Sequence, residues 1–142
     1  MAVAADGHRR RHHAALVAAT GVIERWWRLG GWLGVALALV FSLGPPTLGD
    51  DESQLDKLAH FAGYAALTFW WAQLIVARRW RLVLAVTLFG IAIELLQGLA
   101  PGRQPDPLDA LANAAGVLLG WGLARCLPNL PEKIAALPAL HR

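Results

Sequence analysis

Polar and ionisable side chains recur at helical spacing within a largely apolar sequence. Asp56, Lys57, His60 and Tyr64 come first, and at ~100° per residue they fall within roughly a third of a helix circumference. An imidazole near carboxylates can act as a general acid or base, and a lysine can bind a carboxylate or phosphate. This spacing predicts a helix whose first turns carry, on one face, side chains that can bind anions or transfer protons.

Two more polar groups follow along the chain. Glu94 and Gln97 are three residues apart, which places them on one helix face inside an apolar run. Asp109 and Asn113 are one turn apart on the next predicted helix, and Gly116 continues the same stripe. An ionisable group inside a bilayer costs roughly 2.5 to 3.5 kcal/mol, so these stripes are expected to face one another.

All three groups fall towards the same side of the membrane, at the starts of the second and fourth predicted spans and the end of the third, which predicts a single polar site. Arg103 and Asp106 join it from the loop before the last helix. No catalytic residue is assigned; His60, Glu94 and Asp109 are the candidates if the site is an active site. The predicted ligand-binding set is Asp56, Lys57, His60, Tyr64, Glu94, Gln97, Arg103, Asp106, Asp109 and Asn113.

The sequence offers little support for other chemistry. His60 is the only histidine near the site, and no histidine pair there supports zinc, so neither a metal nor a cofactor is expected. Ser42 and Ser53 are isolated, and no strong nucleophile motif is present. Cys126 is the single cysteine, which excludes a disulfide within the chain.

The elements that must position these residues are membrane helices. Hydrophobic residues make up 56% of the 142 residues and charged residues 16%, against roughly 25% charged in soluble domains. Charges cluster between long apolar runs, which is the pattern that a bilayer imposes. The predicted fold class is all-α, a polytopic membrane protein with about four transmembrane helices in a small bundle. The predicted spans are residues 29–43, 58–77, 82–100 and 108–127.

The N-terminal region is predicted to lie outside the bundle. The apolar stretch 14–23 is too weakly hydrophobic for a secretory signal peptide, and Glu24 follows it where small residues would be expected. A short interfacial helix ending at Trp26 and Trp27 is predicted instead. The predicted parts are a basic N-terminal segment over 1–28, a transmembrane domain over 29–127 and a C-terminal tail over 128–142.

Lysine and arginine positions predict the orientation in the membrane. Of 13 such residues, all but Lys57 and Arg103 lie on the side of the N-terminus, the 78–81 loop and the C-terminal tail. The positive-inside rule therefore predicts both termini in the cytoplasm and the polar site at the extracytoplasmic face. This placement of charge favours the lipid bilayer as partner and argues against nucleic acid.

Four short motifs together resemble the VanZ-like family of bacterial membrane proteins. They are residues 56–64, 94–97, 103–109 and 113–116, and their order and spacing agree with that family. The resemblance covers about residues 29–127. It implies a multi-span domain in the bacterial cytoplasmic membrane. It also implies a link to the cell envelope and to antibiotic resistance, because the namesake member lowers susceptibility to the glycopeptide teicoplanin.

Three functions fit these residues. The favoured one is a non-enzymatic binding module, in which Lys57 and Arg103 contact the anionic head group of a lipid-linked envelope component, or in which the site binds a glycopeptide. The alternative is a membrane enzyme acting on a lipid head group, with His60 as general acid or base and Glu94 or Asp109 orienting it. The third is a structural or assembly role. An oligomer could supply the additional spans that a transporter would need.

Overall fold

The computed structural model describes residues 2–44, 54–99, 106–127 and 129–137, with only the backbone described for residues 2–15. Every regular element within these ranges is a helix. The helices are α1 Ala2–Leu43, α2 Gln54–Ala72, α3 Arg79–Gln97, α4 Pro107–Cys126 and α5 Leu130–Ala136. The predicted all-α class is confirmed.

Helices α1, α3 and α4 provide the apolar length that a membrane requires. The segments Leu16–Leu43, Arg79–Gln97 and Pro107–Ala136 are long and apolar enough to cross a bilayer. Helix α2 is of similar length, but Asp56, Lys57 and His60 lie in its first two turns, and it is not among these candidate spans. The protein is therefore an all-α membrane bundle.

The helix boundaries differ from the prediction at two places. Helix α1 continues through Trp26 and Trp27, so the prediction of a separate interfacial helix ending there is wrong. This stretch is rich in alanine and contains no proline, so nothing in it stops the helix. Helix α2 ends at Ala72, before the predicted end at residue 77, and Arg78 takes the left-handed conformation (φ 56°) ahead of α3.

The most extensive helix contact joins α2 to α4. Gly116 and Gly120 lie against the backbone of α2, where an added Cβ would collide with the carbonyl oxygens of Phe61 and Ala65. Small residues one turn apart permit this close approach between membrane helices. Val117, beside them on α4, is fully buried.

Tryptophans join α1 to the C-terminal half of α2. The rings of Trp27 and Trp70 stack with their centroids 4.1 Å apart. Trp27 Nε1 donates to the Trp70 carbonyl at 3.0 Å, and Trp70 Nε1 donates to the Trp27 carbonyl at 2.7 Å. Trp70 and Trp71 also lie against Gly30 and Gly31 of α1.

The segment after α4 folds back onto the bundle. The backbone N–H of Leu130 donates to Gln73 Oε1 at 3.1 Å, just beyond the end of α2. Pro131 and Ala135 of α5 are buried, and α5 packs against α1. Part of the predicted tail is therefore a docked helix, because its apolar residues find a surface on α1.

Candidate functional site

The polar residues of three helices meet at one end of the bundle. Helices α2 and α4 run parallel to each other and α3 runs antiparallel to both, so the first turns of α2 and α4 lie beside the last turn of α3. The contacts that show this join His60 of α2 to Asn113 of α4, and Asn113 to Glu94 of α3. This packing brings together groups that lie far apart in the sequence.

Asn113 links the imidazole to the membrane-embedded carboxyl group. His60 Nδ1 lies 3.1 Å from Asn113 Oδ1, and Asn113 Nδ2 donates to Glu94 Oε1 at 3.3 Å. Because the amide nitrogen faces the Glu94 carboxylate, its oxygen faces the ring and accepts a hydrogen bond from Nδ1–H. All three side chains are buried, with 9%, 2% and 5% of His60, Asn113 and Glu94 exposed.

Two aspartates flank the other ring nitrogen. His60 Nε2 lies 3.9 Å from Asp56 Oδ1 and 4.0 Å from Asp109 Oδ2. Asp56 is one turn before His60 on α2, whereas Asp109 comes from the first turn of α4. One ligand atom from each of the three residues lies within 4.8 Å of the others, a spacing that could hold a metal ion.

Lys57 is paired with carboxylates of α4 and its cap. Its Nζ donates to Asp106 Oδ2 at 2.8 Å and lies 3.7 Å from Asp109 Oδ1. Asp106 is also the N-cap of α4, since its Oδ1 accepts from the backbone N–H of Leu108 at 2.8 Å. The hydrogen bond from Lys57, together with that from Leu108, holds the pKa of Asp106 below its ordinary value.

Two buried carboxylate oxygens keep unused hydrogen-bonding capacity. Neither Glu94 Oε2 nor Asp109 Oδ1 has a hydrogen-bond partner among the described residues. Both side chains are nonetheless buried, with residue exposures of 5% for Glu94 and 6% for Asp109. The site is therefore rich in acceptors, and Lys57 is the one lysine or arginine among its described members.

Two predicted site residues lie apart from this network. Gln97 Nε2 donates to the Ser42 carbonyl at 2.7 Å, which ties the end of α3 to the end of α1. Tyr64 is 3% exposed, and its ring packs against Gly90 while its hydroxyl has no partner among the described residues. Arg103 lies outside the described residues, so its part in the site stays a prediction.

The sequence analysis missed Gln73, a buried polar residue at the opposite end. It is 3% exposed and receives the hydrogen bond from Leu130 that docks α5. A cleft beside it is lined by Glu24, Asn129 and Glu132 among others. The signal for it was an amide side chain near the end of the apolar run 58–77.

Comparison with known proteins assigns the chain to a family. The VanZ/LLP1 family model matches residues 22–128, which include helices α2, α3 and α4 and every residue of the candidate site. No curated protein and no solved structure matches the chain. Because the match extends over more than half of the sequence, the protein belongs to the VanZ/LLP1 family.

Proposed function

We propose that this membrane protein is a binding module whose polar site takes the head group of an amphiphilic cell-envelope molecule. The observation that carries the proposal is that Glu94 Oε2 and Asp109 Oδ1 are buried without hydrogen-bond partners. Polar residues that serve only to lock helices together are expected to satisfy one another. Acceptors left over in a buried network are available to donors on a ligand.

The charge balance defines the ligand further. Lys57 is already bonded to Asp106 and lies near Asp109, so its charge is largely neutralised, and the contact to an anionic head group first predicted for Lys57 is weakened. The acceptor-rich cluster fits amine or hydroxyl donors on the ligand. Arg103 remains the predicted contact to a phosphate or carboxylate. A lipid-linked envelope component with donors on its head group combines both features, and we favour it over a glycopeptide.

Native mass spectrometry of protein released from bacterial membrane tests this function. A co-purifying lipid is expected on the wild type and should be lost in Asp109→Asn, which keeps the side-chain shape and removes an acceptor oxygen. Glu24→Gln makes the same change at the opposite end and should retain the lipid. Equal retention by both variants, or no lipid on the wild type, would refute the proposal. Binding of added teicoplanin alone would instead favour the glycopeptide.

We propose further that the site faces away from the cytoplasm of a bacterial cell, with both termini inside. The basic residues on the other side support this orientation. In a Cys126→Ala background, single cysteines at Asp51 and Gln104 should react with an impermeant thiol reagent in spheroplasts. A cysteine at Arg79 should not react. The reverse pattern would move the site to the cytoplasmic face.

The arrangement around His60 also supports an enzyme as the second candidate. Asn113 orients the ring, and Asp56 and Asp109 flank its other nitrogen, as a general acid or base would require. Purified protein would then turn over a lipid head group, and His60→Ala would abolish turnover. Detection of that activity would place the enzyme ahead of the binding module.

A further inference from the structure

We propose that Asp56, His60 and Asp109 bind a divalent transition-metal ion at the polar end of the bundle. The three candidate ligand atoms lie within 4.8 Å of one another. His60 Nε2 is 3.9 Å from Asp56 Oδ1 and 4.0 Å from Asp109 Oδ2. An ion bound tetrahedrally at ~2.1 Å holds its ligand atoms about 3.4 Å apart, so each carboxylate would close in on the ring by roughly 0.5 Å to bind one ion with it.

The orientation of the histidine supports this assignment independently of the acidic residues. Asn113 Oδ1 lies 3.1 Å from Nδ1, and the amide is held in that orientation by its bond to Glu94. With Nδ1–H donating to Asn113, Nε2 faces Asp56 and Asp109, where its lone pair can bind a metal ion. Metal-bound histidines commonly donate their second ring N–H in this way, which fixes both the tautomer and the ring position.

The burial of negative charge gives a second reason for a cation. Glu94 and Asp109 are more than nine-tenths buried, and each keeps one oxygen without a hydrogen bond among the described residues. Glu94 Oε1 also lies 3.8 Å from His60 Nδ1, so carboxylates approach the ring from both sides. Buried carboxylates need pairing or metal coordination, and Lys57 supplies a single positive charge.

The ligand types indicate which ions suit the site. One imidazole and two carboxylates favour a metal such as Zn²⁺ or Mn²⁺, whereas Mg²⁺ and Ca²⁺ prefer oxygen ligands throughout. Three protein ligands would leave a coordination position for water or for an oxygen atom of a bound molecule. No metal was expected from the sequence because a histidine pair was lacking. The structure instead brings Asp109 from α4 to complete a set begun by Asp56 and His60.

Zn²⁺ loading of the purified protein tests the site. Chelator-treated protein in detergent is incubated with Zn²⁺ alone, passed through gel filtration, and analysed for metal by plasma mass spectrometry. We expect stoichiometric Zn²⁺ on the wild type and at least about tenfold weaker binding in Asp56→Asn and Asp109→Asn. Glu24→Gln, the same kind of change at the opposite end, should bind as the wild type does.

Co²⁺ substitution of the wild-type protein keeps the test decisive if either site variant fails to fold. Visible absorption bands from bound Co²⁺, displaced by Zn²⁺, are expected. Absence of these bands and of retained Zn²⁺, or undiminished binding in both folded site variants, would overturn the inference. The inference does not rest on the proposed head group, because metal content and lipid retention are measured separately. A metal-free protein that still holds lipid would refute the metal site alone.

Discussion

The two halves of α2 pack against their neighbours in different ways. Through the N-terminal half and just past the middle of α2, Gly116 and Gly120 of α4 bring backbone against backbone, at the carbonyl groups of Phe61 and Ala65. In the C-terminal half, the indole rings of Trp70 and Trp71 fill the space over two glycines of α1. Main-chain contacts therefore set the distance between α2 and α4, whereas side-chain contacts set the distance between α2 and α1.

This difference matches what each half has to position. The hydrogen bonds that join Asn113 to His60 and Glu94 are 3.1 Å and 3.3 Å long, and such bonds weaken quickly when helices separate. The Trp27–Trp70 pair also holds hydrogen bonds, at 3.0 Å and 2.7 Å, but their donors are indole rings, which can shift with the helices and keep their stacking contact. The polar network therefore requires the more rigid of the two interfaces, and the glycines of α4 provide it.

The largest effect is expected from alanine at the α2–α4 interface. In Gly116→Ala or Gly120→Ala the new methyl group would meet a carbonyl oxygen, and main chain cannot rotate away as a side chain can. Overpacking of this kind should lower the free energy of unfolding by about 3 kcal/mol or more. Thermal unfolding of the purified protein in detergent measures this loss.

Gly122→Ala is the matched control on the same helix. An added Cβ there has no atom within 4 Å, so stability should stay the same or rise by roughly 0.5–1 kcal/mol, because alanine is a better helix former. If Gly116→Ala behaved like Gly122→Ala, the helices would not be held by backbone contact. The contrast between the two halves of α2 would then disappear.

A smaller effect is expected at the tryptophan interface. A Cβ in Gly30→Ala would lie 2.8 Å from Trp70 Cζ2, but the indole ring can shift. The expected loss is about 1–2 kcal/mol, at the lower end for overpacked sites.

Combining Gly30→Ala with Trp70→Leu should recover part of the overpacking loss, since the smaller side chain makes room. A double-mutant cycle on unfolding free energies would show this as favourable coupling. Purely additive losses would show that the ring is as fixed as the carbonyls of α2.

The helical class and the polar helix faces that meet at the site could be predicted from the sequence for a simple reason. Apolar runs identify membrane helices, and polar residues at helical spacing identify the face turned inwards. This logic places His60, Glu94 and Asn113 near one another without any knowledge of the packing. It also predicted Gly116 as part of the closely packed stripe.

Other features depend on pairings between distant positions that no local pattern reveals. Trp27 was predicted at the membrane interface, yet its ring and Nε1 are engaged by Trp70, 43 positions further along the chain. Gln97, like Glu94, is a polar residue within an apolar run, but its amide donates to the Ser42 carbonyl of α1. A polar residue on the inward face of a helix can be predicted to be buried. Which residue it bonds to depends on how the neighbouring helices are rotated about their axes.

The smallest effect is expected at the rim of the polar half, where Asp106 both pairs with Lys57 and caps α4. Asparagine can cap a helix about as well as aspartate, whereas alanine cannot. Asp106→Ala should therefore be less stable than Asp106→Asn by about 1 kcal/mol, measured by thermal unfolding at neutral pH. Equal stabilities would show that the cap contributes nothing to this end of the bundle.

The pH dependence of Asp106→Asn separates the charge from the cap. Because the pKa of Asp106 is lowered in the folded protein, chiefly by the Lys57 hydrogen bond, its charge stabilises the fold above the unfolded-state pKa. That contribution is lost as pH falls below about 3.9 and through the lower folded-state value. Wild type should thus exceed Asp106→Asn in stability at neutral pH, and the gap should close in acid. A difference in stability that persists at low pH would mean that Asp106 stabilises the fold through its shape and its cap and not through its charge. This end of the bundle would then depend on packing, as the tryptophan interface does.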